Sequence, residues 1–350
     1  MNMKIKYALI GICILILFGI FLKKQTIERQ DELVTAGVII NESEVGSEIN
    51  NETNQGDIAS ADIDLEIKND SNTVVEQQQE REVESQVLQE KSPEEEEEEI
   101  VREVVVSDVS YGSQVKEVLD LYHMSNTSVG APLVIMVHGG AWRLGDKTNS
   151  NTLTNKKNHF VNKGYYFASV NYPLYPEVSV QEQIESVARS IKYLQDQSAT
   201  YGYSPNKIVV MGHSAGSHLV AAVSANKEVQ NVQPWKGTIL LDSQAYDVPQ
   251  YIASDGSALI KRVFTDSDSY HESVSPYHLV AKTTESVLFA CSRQLQGSCD
   301  AANRYAGKLE SLGTSAAVES YSYSHSQMND LLGLNNSYTQ TVQDFIDSVL

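Results

Sequence analysis

"KIVVMGHSAGSHLVAAV", residues 207–223, holds a serine inside Gly212-x-Ser214-x-Gly216. The pentapeptide alone is common, and its setting carries the information. A short β-branched apolar run precedes it and reads as a buried strand, whereas "AGSHLVAAV" reads as a helix. Between a strand and a helix, G-x-S-x-G makes a tight turn. Its glycines stand where side chains would collide, and the serine is lifted above the end of the sheet. A serine that merely caps the helix is the competing reading, since serine caps well. The flanking elements favour a nucleophile.

Upstream lies "VHGGAWRLGDK", residues 137–147, directly after the apolar run "APLVIMV", residues 131–137. Acyl transfer requires donors aimed at a developing oxyanion, each worth about 2.7–4 kcal/mol in comparable sites. The amides of Gly139, Gly140 and Ala141 can approach closely because adjacent glycines clear the way, and the amide of Ala215 completes the set. A base must also reach the serine. His325 follows the strand-like "AAVESYSY", residues 316–323, and precedes the last helix, so it can cross the top of a sheet. His218 lies one helical turn past Ser214 and is expected to pack. His271 and His278 fall in a loop or cap, and His138 is expected to support the glycine loop.

The rest of the chain agrees with a layered α/β domain. "EVVVSDVSYG" (103–112) and "VKEVLDLYHM" (115–124) alternate as a hairpin. "GYYFASVNYP", "KGTILLDS" and "ESVLFACS" are further strands. Ile184, Val187, Ala188, Ile191 and Leu194 have the spacing of an amphipathic helix. "AANRYAGKLESLG" and "SYTQTVQDFIDSVL" read as two more. Alternating strands and helices predict a mostly parallel central sheet with helices on both faces.

From about residue 108 the chain resembles the α/β-hydrolase superfamily, specifically its carboxylesterase branch with an H-G-G-x-W loop, which includes arylformamidase-like and bacterial feruloyl-esterase-like enzymes. The residues carrying the likeness are "HGGAW", "VNYPLYP", "GHSAG" and "HSQMNDLLG". The resemblance implies an α/β-hydrolase fold, Ser214 as nucleophile, His325 as base and an oxyanion hole around Gly140 and Ala141. It also implies an Asp after the next-to-last strand, here "VLFAC", residues 287–291. There Gln294 stands near the usual acid position and the first carboxylate is Asp300, which equally suits a helix cap. Asp300 is taken as the acid, with Asp242 and Asp247 after the preceding strand as alternatives. The acid only orients and stabilises the imidazole, so its place can vary.

Of the three cysteines, Cys291 and Cys299 bracket that loop. A bridge between them would hold Asp300 beside His325, and would suit an exported domain. No Cys/His spacing points to a metal, and no dinucleotide turn or other cofactor motif is present.

The 350 residues carry a net charge of −20, concentrated in residues 23–105. That stretch, with "SPEEEEEE" near its end and no aromatic residue, is expected to be a disordered acidic linker. Residues 7–22 are apolar and flanked by lysines, which suits an uncleaved membrane anchor or, secondly, a signal peptide. The expected plan is therefore 1–22 anchor or signal, 23–105 linker and 106–350 catalytic domain, with that domain outside the cytoplasm. The acidic balance argues against nucleic acid as a partner. The expected substrate is a small or aryl ester, hydrolysed through an acyl-enzyme. An arylformamidase-like amide hydrolase, an exopeptidase, or a binding protein that keeps the fold without turnover are the alternatives.

Overall fold

The computed structural model describes residues 100–350 apart from 228–230, 256 and 283. The expected anchor, and the linker up to residue 99, lie outside the described residues. Among the described residues no helix is long and apolar enough to cross a membrane.

Eight strands form one sheet: β1 (Glu103–Ser110), β2 (Val118–Met124), β3 (Ala131–Val137), β4 (Tyr166–Val170), β5 (Tyr203–His213), β6 (Gly237–Leu241), β7 (Ser286–Ser292) and β8 (Ala316–Tyr321). Their order is β1-β2-β4-β3-β5-β6-β7-β8. β1 and β2 pair antiparallel, as does β2 with β4, and every later pairing is parallel. The first strand thus opens at Glu103, inside the stretch read as linker.

Side chains alternate across the sheet, which is why it has two apolar faces. Leu133, Ile135 and Val137 of β3 join Ile208 and Val210 of β5 in one core. Val134, Met136, Val209 and Met211 point into the other. The second core is covered by α1 (Ser150–Asn162) and α6 (Ser337–Val349), whereas α2 (Val180–Asp196), α3 (Ala215–Ala225) and α4 (Ser298–Ser311) cover the first. The short α5 (His325–Asp330) also contributes Met328 to the second core. In α2 the predicted stripe of Ile184, Val187, Ala188, Ile191 and Leu194 is buried, the four larger aliphatic side chains each worth about 1.5–3 kcal/mol on leaving water. Ser179 and Glu182 close its first turn as a reciprocal capping pair. Four further short helices lie between Val248 and Leu279.

Because β3 to β8 run parallel, their carboxyl ends share one edge of the sheet, where ligands bind in open α/β folds. His213, Leu241 and Ser292 end β5, β6 and β7 there.

Candidate active site

Ser214 stands between β5 and α3 with φ 55° and ψ −118°, and its hydroxyl makes no capping bond to the helix. A non-glycine residue held in that region is strained, and such strain gathers at functional sites. The turn is possible because its glycines touch. A Cβ on Gly212 would come within 2.4 Å of the Gly216 carbonyl oxygen, and one on Gly216 within 2.3 Å of the Val137 carbonyl oxygen. The first glycine lets the turn close, and the second lets α3 pack on the end of β3.

The Ser214 hydroxyl donates to Nε2 of His325 at 2.9 Å. Nδ1 of His325 then donates to Oδ2 of Asp242 at 2.7 Å. Serine, imidazole and carboxylate therefore form a continuous relay. The Asp242 side chain is fully buried, whereas that of His325 is 40% exposed. Burial alone would raise the Asp242 carboxyl. Hydrogen bonds from His325, the Ser298 hydroxyl and the Ser292 amide outweigh it and hold the group below the usual carboxylate range.

The carboxylate at His325 is thus Asp242, an alternative in the sequence reading, and not Asp300. Asp242 directly follows β6, neighbour to the strand that carries Ser214, and its amide bonds to the Ala290 carbonyl at 2.8 Å. Its φ of 49° turns the chain sharply at the sheet edge. Asp300 lies in the first turn of α4, exposed, where a carboxylate complements the helix dipole. Asp247 pairs with Arg304 at 3.0 Å. The cysteines are bridged, with Cα atoms 5.1 Å apart, but the bridge does not bring Asp300 to the imidazole. It brackets instead Ser292 and Ser298, the two residues that bond Oδ1 of Asp242.

His325 opens α5 behind a Ser324 cap. Sequence reasoning had no role for His213, whose Nε2 donates to the His325 backbone carbonyl at 3.1 Å. The two rings lie 4.6 Å apart. Burial first, and then the neighbouring His325, lower His213 to about 3, so it is neutral there. Its place inside G-x-S-x-G was the available signal.

The glycine loop curls over the serine. Gly140 has φ 129°, and a Cβ there would meet the Leu144 carbonyl oxygen at 2.0 Å, so only glycine fits. Ala141 and Trp142 follow at φ 52° and 61°. Among the described residues no acceptor takes the amides of Gly140, Ala141 or Ala215. His138 bonds the Gly139 carbonyl through Nδ1 at 2.8 Å and stacks on Tyr172. His218 is buried and accepts from the Trp142 indole at 3.2 Å while donating to the Val274 carbonyl at 2.8 Å. It therefore anchors the glycine loop to the segment that carries Val274.

A cavity of about 260 Å³ opens over the serine, walled by Ala141, Trp142, Ala245, Tyr251 and Leu295. Gln244, Tyr251 and Leu295 also line a groove of about 710 Å³ that holds Asp247, Asp300 and Arg304. No group of metal-ligating side chains occurs among the described residues.

Fold and site together define an α/β-hydrolase. Residues 119–293 match the BD-FAE family, and the chain belongs to that family. A probable isoprenylcysteine alpha-carbonyl methylesterase from Arabidopsis thaliana is 24% identical over 61% of this chain and 49% of its own length. Esterase LipQ from Mycobacterium tuberculosis is 29% identical over 51% of this chain and 41% of its own. A kynurenine formamidase from Danio rerio is 33% identical over 42% and 48%. The chain thus spans about half or less of the curated relatives it matches. Among solved structures, esterase B from Lactobacillus rhamnosis superposes with a TM-score of 0.57 at 16% identity, over 79% of this chain and 92% of that one. At that identity the likeness speaks for the fold.

Proposed function

We propose that the chain is a serine hydrolase of the carboxylesterase type, acting through an acyl-enzyme. The observation that carries this reading is the relay from Ser214 through His325 to Asp242. As Ser214 Oγ attacks an ester carbonyl, His325 Nε2 takes its proton, and Asp242 stabilises the imidazolium. The carbonyl oxygen becomes an oxyanion facing the amides of Gly140, Ala141 and Ala215. His325 returns the proton to the leaving alkoxide, which departs as an alcohol. Water, deprotonated by the same nitrogen, then releases the carboxylic acid and restores the serine.

The cavity over Ser214, at about 260 Å³, is below the roughly 300–1,000 Å³ of drug-sized ligand pockets and suits a small acyl group. The adjoining larger groove suits the alcohol part. Relatives named as esterases and as a formamidase support the same acyl-transfer chemistry on an ester or an N-formyl amide. The test is turnover of p-nitrophenyl acetate and of an N-formyl aryl amide by the full chain and by Ser214→Ala. Hydrolysis of either that is abolished by the substitution is expected. Absence of turnover on both, or an undiminished rate in Ser214→Ala, would refute the reading.

A further inference from the structure

We propose that Ser298 is a positioning residue for the relay: its hydroxyl, donated to Oδ1 of Asp242, selects the carboxylate orientation that presents Oδ2 to His325. The proposal rests on the serine-hydrolase reading of the site. The torsion that turns a carboxylate about its Cβ–Cγ bond is broad, so packing alone sets it weakly. In Asp242 the two oxygens have divided roles. Oδ2 faces His325 Nδ1 at 2.7 Å, whereas Oδ1 accepts from the Ser292 amide at 2.7 Å and from Ser298 Oγ. The amide bond is fixed by the backbone at the end of β7. The hydroxyl is the side-chain donor that completes the clamp.

Ser298 is well placed for this work. It is fully buried and begins α4, yet it does not cap that helix, whose N-cap is Gly297. Its hydroxyl is therefore directed to Asp242 and not to a free amide of its own helix. Both donors to Oδ1 also sit next to a half-cystine: Ser292 follows Cys291, and Ser298 precedes Cys299. The bridge closes the loop at the carboxylate, so the two donors are held together across it. Within the loop, the Gln294 and Leu295 amides bond Ser292 Oγ at 3.0 and 3.1 Å. A carboxylate placed after β6 thus draws its support from the loop after β7.

The test compares the full chain with Ser298→Ala and Ser298→Thr, reading kcat and KM for p-nitrophenyl acetate. It also follows the low-field proton resonance of the His325 Nδ1–Asp242 hydrogen bond. Loss of one hydrogen bond to a charged group corresponds to roughly a ten- to hundredfold rate change. The expected result is a fall of that size in kcat for Ser298→Ala with KM unchanged, an altered low-field resonance, and restoration of both by Thr. Wild-type kcat and resonance in Ser298→Ala would overturn the proposal, even if the variant melts earlier. So would a loss of rate with the resonance unchanged in both variants. If the wild-type chain turns over neither p-nitrophenyl acetate nor an N-formyl aryl amide, the serine-hydrolase reading fails, and the resonance alone then decides the place of Ser298.

Discussion

At the scale of single residues, the placing of Ser214 on a strained strand–helix turn was legible because it is written in local context: a strand, two glycines that must touch, and a helix. His325 was legible from its place after the last strand. Asp242 stood only among alternatives, because its role arises from two strands being neighbours at one sheet edge, which no local pattern encodes. Ser298 was illegible for a related reason, since its hydroxyl bonds a residue distant in sequence, and His213, which bonds the His325 carbonyl, was marked only by its place inside G-x-S-x-G. The geometry gives a direct contrast between carboxylates. Asp242→Asn should lower kcat by about 10⁴-fold, the cost of a wrongly held tautomer in a comparable triad. Asp300→Asn should leave kcat near wild type, because that side chain is exposed in the first turn of α4. Steady-state kinetics on both variants check this. Equal losses would mean that both carboxylates serve the imidazole.

At the scale of elements, the turn between β5 and α3 and the loop between β7 and α4 carry the site. Gly216→Ala would drive a methyl group into the Val137 and His138 carbonyl oxygens, 2.3 and 2.5 Å from the added carbon. Overpacking of this kind costs about 1–3 kcal/mol, and here it would also displace the serine. Thermal unfolding should show a lower Tm, and the hydrolytic rate should fall with it. The bridge makes a second prediction. Joining Cys291 to Cys299, with a sequence separation of 8, removes unfolded-chain entropy worth about 2.6 kcal/mol. In a domain of this size that is roughly 5–10 °C in Tm. Cys291→Ala/Cys299→Ala should therefore melt earlier by about that margin. An unchanged Tm would show that the loop is already held by its other bonds.

At the scale of the whole molecule, the strand–helix alternation made the layered sheet legible, while the antiparallel attachment of β2 to β4 emerges only from pairing. Three buried histidines next to the site link the fold to pH. Burial lowers His138 to about 4, His213 to about 3 and His218 to about 4, from an ordinary value of 6.5. As pH falls below about 6.5 the unfolded chain takes up these protons first, so stability is full above that point. It is lost as pH descends toward 3–4, by about 1.4 kcal/mol per unit for each histidine. Urea unfolding between pH 7 and 4 should therefore show a steep loss of stability that begins near pH 6. A flat profile over that range would mean that these imidazoles take up protons equally in the folded and unfolded chain, and so are not held neutral by burial.

The central claim is that Ser214, activated by His325 and Asp242, is the nucleophile. It is tested most directly by treating the full chain with a fluorophosphonate and mapping the adduct by peptide mass spectrometry. The expected result is a single adduct on Ser214, absent from Ser214→Ala. No adduct, or one on another residue, would contradict the claim.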